Sequence, residues 1–493
     1  MRLEKIVKEI EYEIIQGSLD AEVEDIVYDS RKLFQGTMFV CMVGAVTDGH
    51  KYIPDAVEKK ASVIVVENKD AVGNIPEGVT VIRVPSTRRA LALMSAAFFD
   101  YPAKKMTTIG LTGTKGKTSI TYMIKDILEM SGKKAGLIGT IGTIIDGEMI
   151  PAKNTTPESY EIHRIFSEMV KAGCEYVVME VSSQGLKFDR TAGIMFDYGV
   201  FTNLSPDHIG PTEHADMDEY KQCKSILFKQ CKIGIVNIDD ESVDVILKDH
   251  TCSVKTFSAE KDADLMASNI QFINENGKLG MKFDTKGCIN ADVKVYIPGR
   301  FAVYNTMVTM MVSHLIGVDD DTILKSLERV QVKGRVELLD VPGDYTMLID
   351  YAHNEVSTRS VLTTLKEYNP KRMICVYGGG GDRSKIRRYD MGEVTGEMAD
   401  LCVLTCDNPR SEEIADINND IKIGLAKSNG KYIEIEDRKE AIAYCMVNAQ
   451  PGDMIVLLGK GHENYQEIKG VKYHFDEREV VAEIVEEIKY GKR

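Results

Sequence analysis

The chain has 493 residues, of which 43% are hydrophobic and 28% are charged, a balance typical of folded protein rather than of a disordered chain. At ~150 residues per domain, this length predicts about three domains. Its 61 basic residues are outnumbered by 76 acidic ones, and the net charge of −15 argues against a nucleic-acid binder that relies on an overall positive field.

The cysteines and the apolar runs indicate the cellular compartment. Ten cysteines are scattered singly without a CxxC pair, so a zinc ribbon or a thioredoxin-type site has no support and free thiols are expected. The N-terminal stretch MRLEKIVKEIEYEI is charged and lacks the apolar segment of a signal peptide. No apolar run reaches the ~18 residues of a transmembrane helix, and we therefore expect a cytoplasmic protein.

Residues 1–104 predict a small α/β domain. Strands are predicted at residues 38–42, 63–66 and 79–84, and a helical pattern covers residues 90–99. The segment Tyr101-Pro102-Ala103-Lys104-Lys105 interrupts that pattern, because proline ends a helix and the lysines are solvated. We place a domain boundary there.

The rest of the chain alternates apolar strands with helical patterns, which predicts parallel α/β sheets. Strands are predicted at residues 107–112, 135–139, 176–181, 198–203 and 233–237, and then at 345–350, 373–377, 401–405 and 454–458. A second boundary is expected near Gly334-Arg335, between a helical stretch at 322–330 and the strand at 345–350. The predicted domains are thus 1–104, a central parallel-sheet domain at 105–335 and a Rossmann-like domain at 336–493.

Residues 107–120, TTIGLTGTKGKTSI, lead from a β-rich run through a glycine loop into a helix. Gly113 and Gly116 let backbone N–H groups approach phosphate oxygens, Lys117 reaches the outer phosphates and the hydroxyl of Thr118 can bind Mg²⁺. Leu111 stands where the strict GxxxxGK[ST] pattern has glycine, so the loop is a variant. A strand-to-helix turn that merely needs glycine is the alternative, and the run in this context disfavours it.

The sequence TGTKGKTS resembles the phosphate loop of the Mur ligases and folylpolyglutamate synthetases, which form amides at the expense of ATP. The resemblance covers almost the whole chain and is strongest to Mur ligases that add meso-diaminopimelate to the D-Glu of UDP-MurNAc-L-Ala-D-Glu, a precursor of peptidoglycan. It implies that ATP phosphorylates a substrate carboxylate and that the amine of an amino acid then attacks the acyl phosphate. It also implies three domains, which bind the UDP-substrate, ATP and the amino acid in that order.

The resemblance implies residue roles around ATP and Mg²⁺. ATP would be bound by Gly113, Thr114, Lys115, Gly116, Lys117, Thr118, Ser119, Asn305 and Arg335, with Arg300 as a weaker match for which a surface arginine is the alternative. Catalytic roles would fall to Lys117, Glu180, His208 and Lys224, and the metal ligands would be Thr118, Glu180 and Lys224.

Glu180 and Lys224 also have a chemical rationale. The segment VVMEVSSQG puts Glu180 at the carboxyl end of a predicted strand, the edge where parallel sheets present ligands, with a solvated carboxylate as the alternative. The resemblance implies that Lys224 is carbamylated, which agrees with the chemistry, because a carbamate is an anion that attracts a metal ion whereas a bare lysine repels it. Without the resemblance, a solvated helix lysine would be favoured at position 224, and a structural or exposed histidine at position 208.

The resemblance also implies a site for the UDP-substrate. Its residues would be Ser30 in the segment YDSRKLFQG, together with Asn154, Thr155, Thr156, Ser182 and Arg190. Gln184 replaces an expected His and Phe188 replaces the Gln of some members, so those two contacts are not transferred.

Four predicted strand ends in the last region carry polar and glycine-rich runs. These are DYAH at 350–353, GGGGDR at 378–383, DNPR at 407–410 and GKGHE at 459–463, and one edge of a parallel sheet can collect them all. The runs match motifs of the family, which implies an amino-acid site formed by Arg383, Asp407, Asn408, Arg410, Gly459 and Glu463. A guanidinium group can hold the distal carboxylate of meso-diaminopimelate in a bidentate manner, whereas L-lysine has no such group.

Three alternatives stay open. Lys115 in place of the commoner Asn and the long stretch 207–214 resemble lysine-adding enzymes of Gram-positive bacteria, so L-lysine remains a second candidate. A folylpolyglutamate synthetase would have no use for the DNPR and GKGHE runs. A non-catalytic switch that binds ATP to move domains would make no amide. For either amino acid we expect a monomer that needs ATP and Mg²⁺ and binds no nucleic acid.

Overall fold

The structure, a computed structural model, describes residues 1–44, 47–206, 209–210, 213–275 and 277–491. The chain forms two compact units. The first comprises Met1–Met266 and Val308–Asp319, and the second comprises Ala267–Met307 and Asp320–Arg493. The predicted domain boundaries at 104 and 335 stay predictions.

The bounds of the helices and strands are as follows. The helices are α1 Leu3–Ile6, α2 Ile53–Glu58, α3 Thr87–Phe98, α4 Lys117–Met130, α5 Ser159–Lys171, α6 Ser183–Lys187, α7 Met217–Ser225, α8 Val243–Ile246, α9 Arg300–Ile316, α10 Asp320–Leu327, α11 Glu355–Lys366, α12 Lys385–Met398, α13 Ile414–Ser428, α14 Arg438–Val447 and α15 Glu477–Lys489. The strands are β1 Glu13–Gln16, β2 Ile26–Val27, β3 Met38–Val40, β4 Val63–Val66, β5 Thr80–Arg83, β6 Thr107–Thr112, β7 Ala135–Ile138, β8 Gly142–Ile145, β9 Glu148–Pro151, β10 Tyr176–Glu180, β11 Phe196–Phe201, β12 Cys231–Asn237, β13 Ser253–Ser258, β14 Leu265–Glu275, β15 Lys278–Gly287, β16 Ala291–Val295, β17 Glu337–Leu339, β18 Thr346–Asp350, β19 Arg372–Tyr377, β20 Leu401–Leu404, β21 Tyr432–Glu434, β22 Asp453–Leu458, β23 Tyr465–Ile468 and β24 Val471–His474.

The N-terminal sheet has the order β1-β5-β4-β3-β2, in which β2 to β5 are parallel and β1 is antiparallel to β5. Every residue of β4 is buried, because apolar clusters cover both faces of the sheet. The predicted strands at 38–42, 63–66 and 79–84 correspond to β3, β4 and β5, whereas β1 and β2 were missed.

The central sheet carries the phosphate loop. In the first unit its order is β13-β12-β11-β6-β10-β7-β8-β9, and the strands from β13 to β7 are parallel. The five strands predicted for this domain are present as β6, β7, β10, β11 and β12, so the parallel sheet is confirmed. The antiparallel hairpin β8–β9 was missed, because its outer strand is exposed and has no apolar alternation that a sequence pattern could reveal.

The C-terminal sheet of the second unit has the order β17-β18-β22-β19-β20-β21, with β18 to β21 parallel and β17 antiparallel. Helices α11, α12 and α13 cover one face and α14 and α15 cover the other, which is the doubly wound arrangement predicted. The helix predicted at 322–330 is α10, and it ends three residues earlier, at Leu327.

Two expectations from composition concern cysteines and membrane segments. All ten cysteines lie in the described chain and none forms a disulfide. Among the described residues, we find no helix whose length and apolar character would let it cross a bilayer.

Candidate active site

The glycine loop between β6 and α4 is built to present backbone N–H groups. Gly113 and Gly116 have φ angles of 147° and 90°, and a Cβ atom at position 113 would lie 2.0 Å from Oγ1 of Thr202. Glycine is therefore required at 113 for both conformation and space. Lys117 opens α4, and its Nζ donates to the carbonyls of Gly113 at 2.8 Å and Thr114 at 3.1 Å. The loop and the N-terminus of α4 together form an anion-binding turn.

A second strand end holds this loop in place. The backbone N–H of Lys115 donates to Oδ1 of Asn203 at 3.0 Å, and its carbonyl accepts from Oγ1 of Thr202 at 2.9 Å. Oγ1 of Thr114 accepts from the N–H of Ser205 at 3.0 Å. These bonds tie the loop to the segment that follows β11, so the backbone at 115 is fixed while its side chain is exposed.

Glu180 lies at the carboxyl end of β10, beside the start of α4. Its side chain is 1% exposed, and Oε1 accepts from Oγ1 of Thr118 and from the N–H of Thr140, both at 2.9 Å. Oε2 accepts from Oγ1 of Thr140 at 3.1 Å. The hydroxyl of Thr118 and the carboxylate of Glu180 are hard oxygen ligands of the kind Mg²⁺ prefers, so the residues present fit the metal predicted here.

Lys224 is buried on α7 at the same loop. Its Nζ donates to the carbonyl of Gly113 at 2.9 Å and lies 4.4 Å from the ring centroid of Tyr220. Tyr220 in turn bonds through its hydroxyl to Oγ1 of Thr114 at 3.1 Å. Lys117 and Lys224 therefore contact the same carbonyl oxygen. Within the described residues no cluster of three His, Cys, Asp or Glu side chains forms a metal site, and His208 lies outside them.

The segment predicted to hold the peptide of the UDP-substrate is anchored to Glu180. Oγ1 of Thr156 donates to the carbonyl of Glu180 at 3.0 Å and accepts from the N–H of Ser182 at 2.9 Å. Thr155 contacts the hydroxyl of Thr140 at 3.0 Å. The NTT turn and the candidate metal ligand thus form one hydrogen-bonded unit.

The remaining UDP-substrate residues take three positions in the first unit. Arg190 donates to the carbonyl of Thr156 at 3.0 Å and pairs with Glu158 at 2.8 Å. Asn154 is exposed, and Ser30 lies in a short 3₁₀ turn of the N-terminal segment, where the carboxylate of Asp29 caps the turn. Arg190 and Thr156 are therefore brought together with Thr155 and Ser182, whereas the structure shows no contact from Ser30 to this group.

In the second unit, all four predicted loops follow neighbouring parallel strands of the C-terminal sheet. Loops 378–383 and 407–410 are in close contact, since the N–H of Gly381 donates to the carbonyl of Asn408 at 2.8 Å. A Cβ atom at position 381 would lie 1.8 Å from the carbonyl oxygen of Pro409, so glycine is required there. The sequence prediction that one sheet edge collects these loops is thus borne out by the topology.

A buried charged cluster joins the DNPR and GKGHE loops. Nζ of Lys460 lies 3.3 Å from Oδ1 of both Asp407 and Asn408 and 3.5 Å from Oε2 of Glu463, and Nδ2 of Asn408 donates to that same Oε2 at 2.8 Å. Burial is the largest influence on Glu463 and raises the pKa of its carboxyl above the ordinary value. Gly459 has a φ of 104° and lies against Asp407.

The two arginines predicted to bind carboxylates differ in their surroundings. Arg410 has a left-handed backbone with φ of 50°, and its Nη1 donates to the carbonyl of Gly381 at 2.6 Å. Its Nε lies 3.2 Å from Oε2 of Glu467, which belongs to the β23–β24 hairpin. Arg383 is exposed to solvent near the same loop.

Two predicted nucleotide contacts lie in the second unit. Asn305 is buried on α9, and the guanidinium of Arg335 lies 5.3 Å from the ring centroid of Tyr351. Burial raises the pKa of Asp350 above its ordinary value, even though Arg335 and two backbone N–H groups oppose that change. Arg300, the weaker match, lies 5.6 Å from the ring centroid of Phe272 and is exposed.

The chain matches three family descriptions along its length. Residues 22–99 match the Mur ligase family catalytic domain, residues 111–313 the Mur ligase middle domain and residues 334–461 the Mur ligase glutamate ligase domain. A relative from Caldanaerobacter subterraneus subsp. tengcongensis, named UDP-N-acetylmuramoyl-L-alanyl-D-glutamate–2,6-diaminopimelate ligase, is 42% identical over 489 residues, which are 99% of both chains. The chain belongs to the Mur ligase family.

Two further comparisons agree with membership in the Mur ligases. A relative of the same name from Clostridium perfringens is 42% identical over 99% of this chain and 100% of its own length. A solved structure of a ligase of that name is similar with a TM-score of 0.73 and 26% identity, and 99% of each chain is covered. The three-domain α/β fold and the assignment to the ATP-dependent ligases are thereby confirmed.

Several residues of this Mur ligase site escaped the sequence analysis. Thr140 bonds to Glu180, and Tyr220 bonds to the glycine loop. The ring centroid of Phe188, a position where no contact was transferred, lies 4.7 Å from the guanidinium group of Arg88 and 5.9 Å from that of Arg190. Lys460 was also missed, although its place inside GKGHE was a signal that could have found it. The roles predicted for all site residues stay predictions.

Proposed function

We propose that this Mur ligase uses ATP and Mg²⁺ to add meso-diaminopimelate to the D-Glu of UDP-MurNAc-L-Ala-D-Glu through an acyl phosphate. The observation that carries the proposal is the joined set of loops in the second unit, where an acidic cluster and a guanidinium group stand on one sheet edge. The names of the 42% identical relatives support the same reaction. The cytoplasmic location and the monomeric state stay predictions.

The first half-reaction is assigned to the first unit. The γ-phosphoryl group of ATP passes to the D-Glu carboxylate, so a P–O bond to ADP breaks and a P–O bond to the acid forms. Nζ of Lys117 and the N–H groups at the start of α4 would neutralise phosphate charge, which is the main catalytic need of such transfers. Thr118 and Glu180 would hold Mg²⁺, which when bound shields the negative charge of the phosphates.

Lys224 suits a role near the same phosphates. Its amine is buried and already touches the Gly113 carbonyl of the loop. Carbamylation would turn this cation into an oxygen-bearing anion, which would add a metal ligand to those supplied by Thr118 and Glu180. We propose that the modified lysine binds the second Mg²⁺.

The second half-reaction needs an amine held in place with its carboxylates. Asp407 and Glu463 both pair with Lys460, so these three described side chains carry an excess of one negative charge when both carboxylates are ionised, and an ammonium group can neutralise it. Arg410 and Arg383 supply guanidinium groups for carboxylates. A diamino acid with a distal carboxylate matches this combination. Its free amine attacks the acyl carbon, phosphate leaves and a proton is lost from nitrogen.

The test supplies the enzyme with ATP, Mg²⁺ and UDP-MurNAc-L-Ala-D-Glu, together with either meso-diaminopimelate or L-lysine. We expect phosphate release and a tripeptide product of the diaminopimelate mass, with little product from L-lysine. If only L-lysine gave a product, L-lysine would take the place of meso-diaminopimelate as the substrate in the proposal. Absence of any amide with either amino acid would leave only a nucleotide-binding role and overturn it.

A variant pair separates catalysis from stability. Lys117→Met removes the cation of the glycine loop and is expected to abolish phosphate release. Lys171→Met removes an exposed lysine at the end of α5 and is expected to leave the rate unchanged. Equal activity of the two variants would contradict the role given to the loop.

A further inference from the structure

A buried arginine lies directly beneath the DNPR and GKGHE loops and belongs to neither. Arg438 is the first residue of α14 and is 1% exposed. Its Nη2 donates to the carbonyl of Leu458 at 2.9 Å, and its Nη1 lies 3.4 Å from the carbonyl of Cys406. Leu458 precedes Gly459 of one loop, and Cys406 precedes Asp407 of the other. One guanidinium group thus bridges the last residues before both loops.

Two helix ends fix the position of this guanidinium group. The cap residue Asp437 accepts from the N–H of Glu440 at 3.0 Å, which sets the start of α14. On the other side, Glu477 in the first turn of α15 is 0% exposed, and its Oε1 accepts from Nε of Arg438 at 2.8 Å. Nη2 of Arg438 also lies 2.8 Å from Oε1 of Glu477. The carboxylate of Glu477 therefore holds Nε and Nη2, while Nη2 and Nη1 also contact the carbonyls before the two loops.

The spacing of the two loops decides the geometry of the acidic cluster. Asn408 from one loop donates to Glu463 of the other at 2.8 Å, and Lys460 reaches across to Asp407 at 3.3 Å. A shift of about 1 Å between the loops would break these contacts, because a donor–acceptor distance beyond about 3.6 Å no longer makes a hydrogen bond. Binding sites lose affinity when the buried residues that hold the ligand-binding residues in place are removed.

We propose that Arg438 is a positioning residue for the amino acid, because it sets the distance between the DNPR and GKGHE loops through the carbonyls of Cys406 and Leu458. The inference rests on the proposed function, in which these loops bind the incoming amino acid. Arg438 is buried beneath the loops, so its proposed role is exerted through them and not by contact with the substrate.

The test must separate positioning from the stability of a buried ion pair. Replacing both charges by apolar side chains of similar size, as in Arg438→Met with Glu477→Leu, often leaves stability unchanged or raises it. The double variant is therefore expected to fold but to lack the bridge between the carbonyls. We expect its KM for meso-diaminopimelate to rise about tenfold, which corresponds to the loss of one charged hydrogen bond between the displaced loops and the amino acid. The KM values for ATP and for the UDP-substrate should stay within twofold.

A control pair lies at the amino ends of two strands of the same sheet, opposite the carboxyl ends that carry the loops. Arg372 of β19 and Asp453 of β22 face each other in register and pair at 2.5 Å, at the ends of their strands remote from the loops. The double variant Arg372→Met with Asp453→Leu removes an ion pair between neighbouring strands without touching either loop. Its KM for meso-diaminopimelate is expected to stay within twofold of wild type.

Arg438→Lys provides a second measurement, because it keeps a cation beside Glu477. A lysine ammonium lacks the planar fork and cannot reproduce the bridge to both carbonyls. Its KM for the amino acid is expected to rise about threefold to tenfold, and this variant decides the question if the double variant does not fold.

Two results would overturn the inference. One is an amino-acid KM within twofold of wild type in the Arg438 variants, and the other is a parallel rise of all three KM values, which would indicate a general structural role. The proposed function is tested separately by the wild-type enzyme. If wild type forms no amide, that function fails, whereas an active wild type with unaffected Arg438 variants overturns only the positioning role.

Discussion

Arg410→Lys tests the part of the site that would distinguish meso-diaminopimelate from L-lysine. In the described chain, two of the five N–H groups of Arg410 are used, by the Gly381 carbonyl at 2.6 Å and by Glu467 at 3.2 Å. Three remain for a ligand, which is enough for the two parallel bonds of a bidentate carboxylate. Lysine keeps the positive charge but offers only a point contact.

The magnitude follows from the loss of one of those two bonds. A hydrogen bond involving charged groups contributes about 1.5–3 kcal/mol, so kcat/KM for meso-diaminopimelate should fall about 10- to 150-fold. L-lysine has no distal carboxylate, and its kcat/KM should change by less than about threefold. The lost contacts of Arg410 to Gly381 and Glu467 should lower the free energy of unfolding by about 1–2 kcal/mol, which leaves the protein folded.

The assay is steady-state phosphate release with each amino acid, with urea unfolding of the same preparations. Arg387→Lys, at an exposed position on α12, is the matched control and should change neither measurement. If Arg410→Lys lowered kcat/KM equally for both amino acids, or left the value for meso-diaminopimelate unchanged, Arg410 would not be the group that recognises the distal carboxylate.

Three further predictions concern catalysis, packing and pH. Glu180→Gln should lower phosphate release more than about 100-fold at saturating Mg²⁺ while the free energy of unfolding falls by only about 1–2 kcal/mol, as activity and urea titrations would show. Gly381→Ala should lower the free energy of unfolding by about 1–3 kcal/mol, because the new Cβ overlaps the Pro409 carbonyl, whereas Gly78→Ala has open space around it and should have little effect. Burial raises the pKa of Asp126 to about 6, so the folded state binds its proton more tightly than the unfolded state, and the free energy of unfolding falls as pH rises from about 4 to 6. Asp126→Asn should therefore raise the free energy of unfolding by about 1–3 kcal/mol at pH 7 and leave it unchanged below pH 4. Denaturant unfolding of both proteins at the two pH values measures this.

Local patterns were sufficient to predict the strands that carry the site. β6, β10 and the four strands before the loops of the second unit are buried on both faces, and such strands appear in the sequence as continuous apolar runs that end in glycine or charge. Because parallel strands present their carboxyl ends at one edge, the motifs that follow could be assigned to a common edge without coordinates. The exposed strand β9 has no such pattern and was missed.

The sequence by itself therefore determined the glycine loop, the parallel sheets and the motifs at their edges, because each depends on neighbours within a few residues. Only the tertiary structure decided which side chains support those motifs. Lys460 lies between Asp407 and Glu463, and Arg438 bridges carbonyls 32 and 20 residues away. Contacts over such separations leave no periodic signal in the chain, since they depend on how strands and helices pack and not on local preference.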